Sequence, residues 1–129
     1  MSASCLAAQL ATTGAAGFDL QDATPTILTW TAPADGDLHV VTPTFLVHVT
    51  AAQTGGEIGV NVLDATGTQL VQSGMYPGGE GVGYYLPTQG GYGPAQAFVV
   101  PSGGTIELVQ ISAQTAGAAN VLAALVGGG

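Results

Sequence analysis

The sequence predicts an all-β fold, a single-domain antiparallel β-sandwich of about eight to ten strands. Short apolar runs rich in Val, Ile, Leu and Thr recur about every ten residues and are separated by Gly, Pro, Asp and Ser. Helical periodicity is absent. The chain has 129 residues, of which 47% are hydrophobic, so it is long enough for one domain with one core.

The predicted strands are short and most of them alternate in polarity. In chain order they cover residues 4–12, 26–31, 37–42, 44–51, 57–63, 68–72, 82–86, 95–100, 104–112 and 118–126. Pro43 interrupts an otherwise long run, so a bend, a bulge or a change of sheet is expected there. Residues 1–22 are poor in large side chains and are expected to form an extended N-terminal arm, which leaves residues 23–129 for the sandwich.

Three turns between these strands have recognisable chemistry. The segment DATG places Asp64 where it can bond its own backbone and Gly67 where a positive φ is needed, which predicts a hairpin. PADGD at 33–37 and PSGG at 101–104 each combine a proline of fixed φ with a permissive glycine just before a strand. All three segments are therefore predicted to be tight turns.

The charge of the chain restricts its partners. There is no lysine and no arginine, whereas eight acidic residues give a formal net charge of −8. Such a chain cannot neutralise phosphates or bind an anionic membrane surface by charge, so neither nucleic acid nor a membrane is expected as a partner. The first residues also lack the basic region of a secretory signal, and no export signal is predicted.

Motifs for catalysis or for cofactor binding are absent, so the chain is predicted not to be an enzyme and to need no cofactor or metal. There is no GxSxG motif, and GGEGVG lacks the last glycine of a dinucleotide-binding fingerprint. His39 and His48 lie nine residues apart, and two ordinary strand histidines are favoured over a metal pair. Asp35 and Asp37 are too few carboxylates for a calcium site by themselves, so a solvated turn is favoured.

Alternation within the strands predicts which of them are covered on both sides. In EIGVNVL one face is apolar and the other polar, so this strand can face water. In TIELVQI both faces are largely apolar, and in ANVLAALV the alternation fails, so these two strands are expected to be covered on both sides. A partner subunit is the simplest covering, and a loop of the same chain is the alternative. The predicted oligomer interface consists of apolar residues of these strands: Ile106, Leu108, Val109, Ile111, Val121, Leu122 and Leu125.

All four tyrosines lie in GMYPGGEGVGYYLPTQGGYGP, residues 74–94, which is also rich in glycine and proline. VGYYL is predicted to be a short strand with Tyr84 packed inward and Tyr85 on the other face. Tyr76 and Tyr92 flank it in glycine-rich turns and are predicted to make exposed contacts. Trp30, the only tryptophan, is expected to pack in the core.

Three segments, TWTAPADGDLHVV, TFLVHVTAAQTGGEIGVNVLDATGTQ and VVPSGGTIELVQISAQTAG, precede an apolar last strand. Their order resembles the compact jelly rolls of the tumour-necrosis-factor and complement C1q type, including their phage relatives. In that family a proline and glycine turn leads into a strand, a hairpin with a DxxG-like tip follows, and a late strand lines a threefold axis. The resemblance implies a jelly-roll fold and a homotrimer.

Within this group the chain looks like a head decoration (cement) protein of a tailed phage, since it is small, acidic and rich in Ala, Gly and Thr. That resemblance implies binding to the major capsid protein on the outer surface of the capsid, where the trimer stabilises the shell. It also implies that the N-terminal arm contacts the capsid or a neighbouring subunit, through Leu6, Leu10 and Phe18. The alternative is a receptor-binding or glycan-binding tip of a phage fibre, with tyrosines that stack on sugar rings.

Overall fold

Every regular element in the described part of the chain is a β-strand. The computed structural model describes residues 8–12, 18–19, 26–77, 81–85 and 97–128, with side chains for 26–51, 57–74, 81–85, 97–111 and 120–127. The strands are β1 (Ala8–Thr12), β2 (Phe18–Asp19), β3 (Thr26–Thr31), β4 (His39–Leu63), β5 (Gln69–Pro77), β6 (Gly83–Tyr85), β7 (Phe98–Val100) and β8 (Thr105–Gly128). This part contains no helix that is long and apolar enough to cross a membrane.

Two long strands form the centre of the fold. β4 has 25 residues and β8 has 24, and they pair antiparallel from Val40 opposite Gly128 to Leu63 opposite Thr105. The short strands extend this ribbon on both sides. β1, β2 and β3 pair with β8, whereas β5, β6 and β7 pair with β4, and all of these pairs are antiparallel.

The long ribbon folds back on itself to make two layers. Its register shifts are concentrated between Val49 and Ile58, where several bulges interrupt the pairing of β4 with β8. Bulges bend a strand and increase its twist, so they allow such a ribbon to turn. The first half of β4 (39–49) pairs with the end of β8, and the second half (58–63) pairs with its beginning.

Side chains from both halves of the ribbon meet in one hydrophobic core. Its fully buried members come from alternating positions of β4, β7 and β8: Val41, Val47, Val49, Ile58, Val60, Val62, Val100, Ile106, Leu108, Val121 and Leu125. Leu28 and Trp30 of β3 pack against this core, as does Tyr85 of β6. The all-β sandwich predicted from the spacing of the apolar runs is confirmed, and Trp30 packs as predicted.

Pro43 does not mark a bend in the strand, contrary to the sequence-based expectation. Residues 42, 43 and 44 pair in unbroken register with 126, 125 and 124 of β8, and the side chain of Pro43 is buried. The predicted strands 37–42, 44–51 and 57–63 are therefore parts of one strand, β4. The turning points lie further along, in the bulged segment, because pairing with β8 holds the backbone extended on both sides of the proline.

The three predicted turns are present, and each uses its glycine as expected. Gly36, Gly67 and Gly103 have φ values of 83°, 88° and 73°, a region that residues with a side chain rarely adopt. The loops 33–37 and 101–104 are also joined to each other. The backbone N–H of Gly36 donates to Ser102 Oγ at 2.8 Å, and that of Gly103 donates to the carbonyl of Pro33 at 3.1 Å.

Asp64 organises the hairpin between β4 and β5. Its Oδ1 accepts hydrogen bonds from the backbone N–H and the hydroxyl of Thr66, at 2.9 and 2.6 Å, and from the backbone N–H of Thr68 at 2.9 Å. These bonds favour the charged carboxylate, with the Thr66 hydroxyl as the largest cause, and lower the pKa of Asp64 below its usual value of 3.8. A lowered folded-state pKa contributes stability above the unfolded pKa, and that stability is lost as the pH falls through the folded value.

We therefore expect Asp64→Asn to lower the melting temperature at neutral pH, because the neutral amide accepts these bonds less strongly. The difference from the wild type should be full above the usual pKa of 3.8, should shrink as the pH falls below it, and should vanish once the pH has fallen through the lowered pKa of the folded state. Thermal melts by circular dichroism between pH 2.5 and 7 measure this. Asp37→Asn is the matched control, since it removes one exposed acid outside the hairpin. An equal difference at pH 7 and pH 2.5 would contradict the role of the carboxylate.

Candidate functional site

The sandwich has two outer faces of different character. One layer is built from β3, the beginning of β8, the second half of β4 and β5. Across these four strands, directly paired residues form a polar row of Thr29, Glu107, Asn61 and Gln72. Thr29 and Gln72 are exposed, whereas Glu107 and Asn61 are half-buried. We call this side of the molecule the polar face.

The opposite layer carries what we call the neutral face. It consists of the outer side chains of the first half of β4, the end of β8, β6 and β7: Val40, Thr42, Thr44, Leu46, His48, Tyr84, Val99, Asn120, Leu122, Ala124 and Val126. Three of its aliphatic side chains are about half exposed, Val99 at 52%, Leu122 at 49% and Val40 at 44%. None of these residues is acidic, and Asp19 of β2 pairs with Asn120 at the border. Six of the eleven side chains are thus aliphatic, and the centre of the face carries no acidic group.

A pair of stacked aromatic rings stands at one end of the neutral face. The rings of His48 and Tyr84 are parallel to within 4°, with centroids 4.2 Å apart. Tyr84 is 67% exposed, so the predicted inward packing of this residue is wrong. Tyr85 packs against the core instead, and its hydroxyl donates to the carbonyl of Gly81 at 2.6 Å. The register of β6 with β4 explains the exposure of Tyr84. Val47 and Val49 point into the core, so His48 between them points outward, and Tyr84, which pairs with His48, points outward with it.

Most residues of the predicted oligomer interface lie inside the chain's own core. Four of them have no exposed surface, namely Ile106, Leu108, Val121 and Leu125, and Val109 is only 7% exposed. The first four cannot contact a second subunit directly, because the other half of the ribbon already covers them, whereas Val109 pairs with Gly59 on the outer side of the sheet. Ile111, at 39%, and Leu122, at 49%, remain exposed. Ile111 lies over Gly59 on the polar side of the sheet, so Leu122 is the one predicted interface residue on the neutral face.

For the remaining predicted contact residues the structure describes at most the backbone. Leu10 is in β1 and Phe18 in β2, and the backbones of both strands pair with β8, so these parts of the N-terminal arm belong to the sheet. Tyr76 is in β5, opposite Ile58, and its side chain is outside the described set. Leu6 and Tyr92 lie outside the described residues altogether.

The two histidines are not brought together. His48 is on the neutral face and His39 is on the opposite side of the same strand, about 30 Å away along β4. His39 Nε2 lies 3.1 Å from Asp35 Oδ2. The rings of His39 and Trp30 form a T-shaped pair with their centroids 5.7 Å apart. The backbone N–H of Asp37, followed by His39, lowers the pKa of Asp35. Among the described residues, no three His, Cys, Asp or Glu side chains converge on a common point.

Two solved structures with a similar fold are of a virus. A chain of the infectious bursal disease virus particle matches 95% of this chain with a TM-score of 0.54 at 13% sequence identity. A chain from the Gx strain of the same virus matches 95% with a TM-score of 0.53 at 12% identity. This chain folds as a jelly roll of the type present in a virus particle. The jelly-roll sandwich predicted from the sequence is confirmed.

The likeness is one of fold. This chain spans 31% and 30% of the lengths of the two viral chains. No protein-family model matches the sequence. No curated protein matches it either.

Proposed function

We propose that this chain is a structural protein of a virus particle, and more specifically a decoration (cement) protein of a tailed-phage head. In this proposal it binds the outer surface of the shell as a homotrimer and joins neighbouring major capsid proteins. The observation that carries the proposal is the neutral face on a jelly roll of a type found in a virus particle. An exposed apolar face is suited to contact with other protein subunits.

The charge of the chain supports a position on the outside of the shell. With eight acidic residues and no lysine or arginine, the chain is repelled by packaged nucleic acid. Binding to the shell would then depend on apolar and backbone contacts, as in the core of an ordinary protein interface.

Addition of the purified protein to phage heads that lack it should raise the temperature at which they release DNA. The reason is mass action, because a ligand that binds the intact shell and not the disrupted one stabilises it. Cosedimentation measures binding to the heads, and fluorescence of a DNA dye during heating measures release. Equal release temperatures with and without bound protein would reject the cement function.

A second candidate function is recognition of a glycan by a fibre tip. The stacked Tyr84 and His48 favour it, because the outer side of the Tyr84 ring is open and Asn120 lies beside His48 in the register. Aromatic rings of this kind can pack against the apolar side of a sugar ring. A glycan array with the wild type and Tyr84→Ala tests this function, which requires binding that the variant loses. A cement protein need bind none of the glycans.

A further inference from the structure

We propose that the neutral face is the surface through which copies of this chain associate with each other. The inference rests on the proposed function only for the number of copies. The charge, the exposure and the area of the face support the inference independently of that function. The neutral face replaces the interface predicted from the sequence, of which only Leu122 lies on this face.

The described acidic side chains are distributed unevenly over the surface. The acidic side chains that the structure describes lie elsewhere: Asp35 and Asp37 in the loop before β4, Asp64 in the hairpin, and Glu57 and Glu107 on the polar face. A second copy brings the same acids, and neither copy has a lysine or arginine to pair with them. Like charges across an interface are unfavourable. Two copies can therefore approach most closely where the described side chains include no acid, as at the centre of the neutral face, which has Asp19 only at its border.

The distribution of charge also favours a second copy over a partner of opposite charge at the neutral face. A basic protein would gain most at the polar face and the acidic loops, where it could pair with carboxylates. It would gain no such pairs at the neutral face. A surface that is apolar and uncharged is instead complementary to itself, which suits the association of identical chains.

Aliphatic side chains occur at both ends of the neutral face and along β8 between them. Val99 pairs with Val40 at one end, and Leu46 pairs with Leu122 nearer the other. Between these pairs, Val126 and Ala124 of β8 lie beside two threonines of β4. On β8, Val121, Ala123 and Leu125 point inward. The alternate positions Leu122, Ala124 and Val126 point outward and are apolar too. In the described part of the chain nothing covers this outer set, which leaves Leu122 half exposed.

The area of the face fits a small interface. The face extends over 11 residues of β4, from His39 to Val49, and is three strand positions wide, because β6 and β7 lie along one edge of β4 and β8 along the other. At the usual strand spacing and rise this corresponds to roughly 500 Å². A specific interface needs about 1,000 Å² in total, or about 500 Å² on each partner. The neutral face is therefore just large enough for one such contact.

The test compares two leucines that are almost equally exposed. Leu122, at 49%, lies on the neutral face, whereas Leu70, at 52%, lies on β5 outside it. In sedimentation of the full chain, the wild type and Leu70→Asp should form the same oligomer. Leu122→Asp should weaken association roughly tenfold or more, because it buries an unpaired charge in the contact. Val99→Asp, in the short strand β7, should act in the same way and guards against misfolding of the first variant. Circular dichroism checks that each variant is folded.

Added salt should strengthen association of the wild type, because it screens the repulsion between two chains of net charge −8. A wild type that stays monomeric at high concentration and salt would overturn the inference, as would equal weakening by Leu70→Asp. Head binding by a monomeric wild type, lost in Leu122→Asp, would assign the face to the shell and also overturn it. Association through the face without any binding to heads would leave the inference standing and reject the proposed function.

Discussion

Replacement of Leu108 by alanine is expected to lower the free energy of unfolding by about 3 kcal/mol, within the usual range of about 2 to 5 for such a change. Leu108 has no exposed surface and pairs with Leu28 on one side and Val60 on the other, at the centre of the core. The substitution removes three carbons and leaves a cavity that the paired strands cannot close. Because a domain of this size has a stability of only about 5 to 15 kcal/mol, the loss is a large fraction of the whole.

Urea unfolding at several protein concentrations measures this loss and separates a core role from an interface role. A core residue lowers stability by the same amount at every concentration, whereas a residue between subunits has an effect that depends on concentration. Leu70→Ala makes the same chemical change at a side chain that is 52% exposed, and should alter stability by about 0.5 kcal/mol or less. If Leu108→Ala left the isolated chain as stable as Leu70→Ala, the placement of Leu108 in the core would be wrong.

The turns could be predicted from the sequence because their chemistry is local. A proline that fixes φ, a glycine that allows positive φ and an aspartate that bonds its own backbone act within four or five residues. The hairpin at Asp64 and the turns at Gly36 and Gly103 therefore lie where the sequence places them. The fold class could be predicted as well, since the spacing of apolar runs is typical of a sandwich.

The strand boundaries and the exposed face could be predicted only in part, because they depend on pairing over long distances. Pro43 interrupts the local pattern, but β8 pairs across it without a shift. In residues 121–126 both sets of alternating positions are apolar, so the sequence indicates two apolar faces and cannot say which is inside. Register with β4 decides this and buries Val121 and Leu125, while Leu122 stays exposed. In the same way, the register of β6 with β4 leaves Tyr84 exposed.

The loops at one end of the sandwich depend on a close approach that only glycine permits. Gly104 is buried where β8 begins, and a Cβ at this position would lie 2.5 Å from the carbonyl oxygen of Leu63 and 3.0 Å from that of Pro101. Both oxygens belong to the backbone. Gly104 itself is held by two hydrogen bonds, because its N–H donates to the carbonyl of Pro101 and its carbonyl accepts from the N–H of Ala32, each at 2.8 Å. An added methyl group must therefore move the backbone and stretch these bonds.

Gly104→Ala is accordingly expected to destabilise the fold by about 1 to 3 kcal/mol, as overpacking at a closely packed site usually does. Thermal and urea unfolding measure the loss. Gly81→Ala is the control, because a Cβ there would contact only the hydroxyl of Tyr85, at 3.9 Å, and the change should be neutral or slightly stabilising. Equal stability of the two variants would mean that the backbone around Gly104 yields to a methyl group without loss of its hydrogen bonds. A selective loss in Gly104→Ala would show that the close approach of these backbones, where β8 enters the sheet, contributes to the stability of the fold.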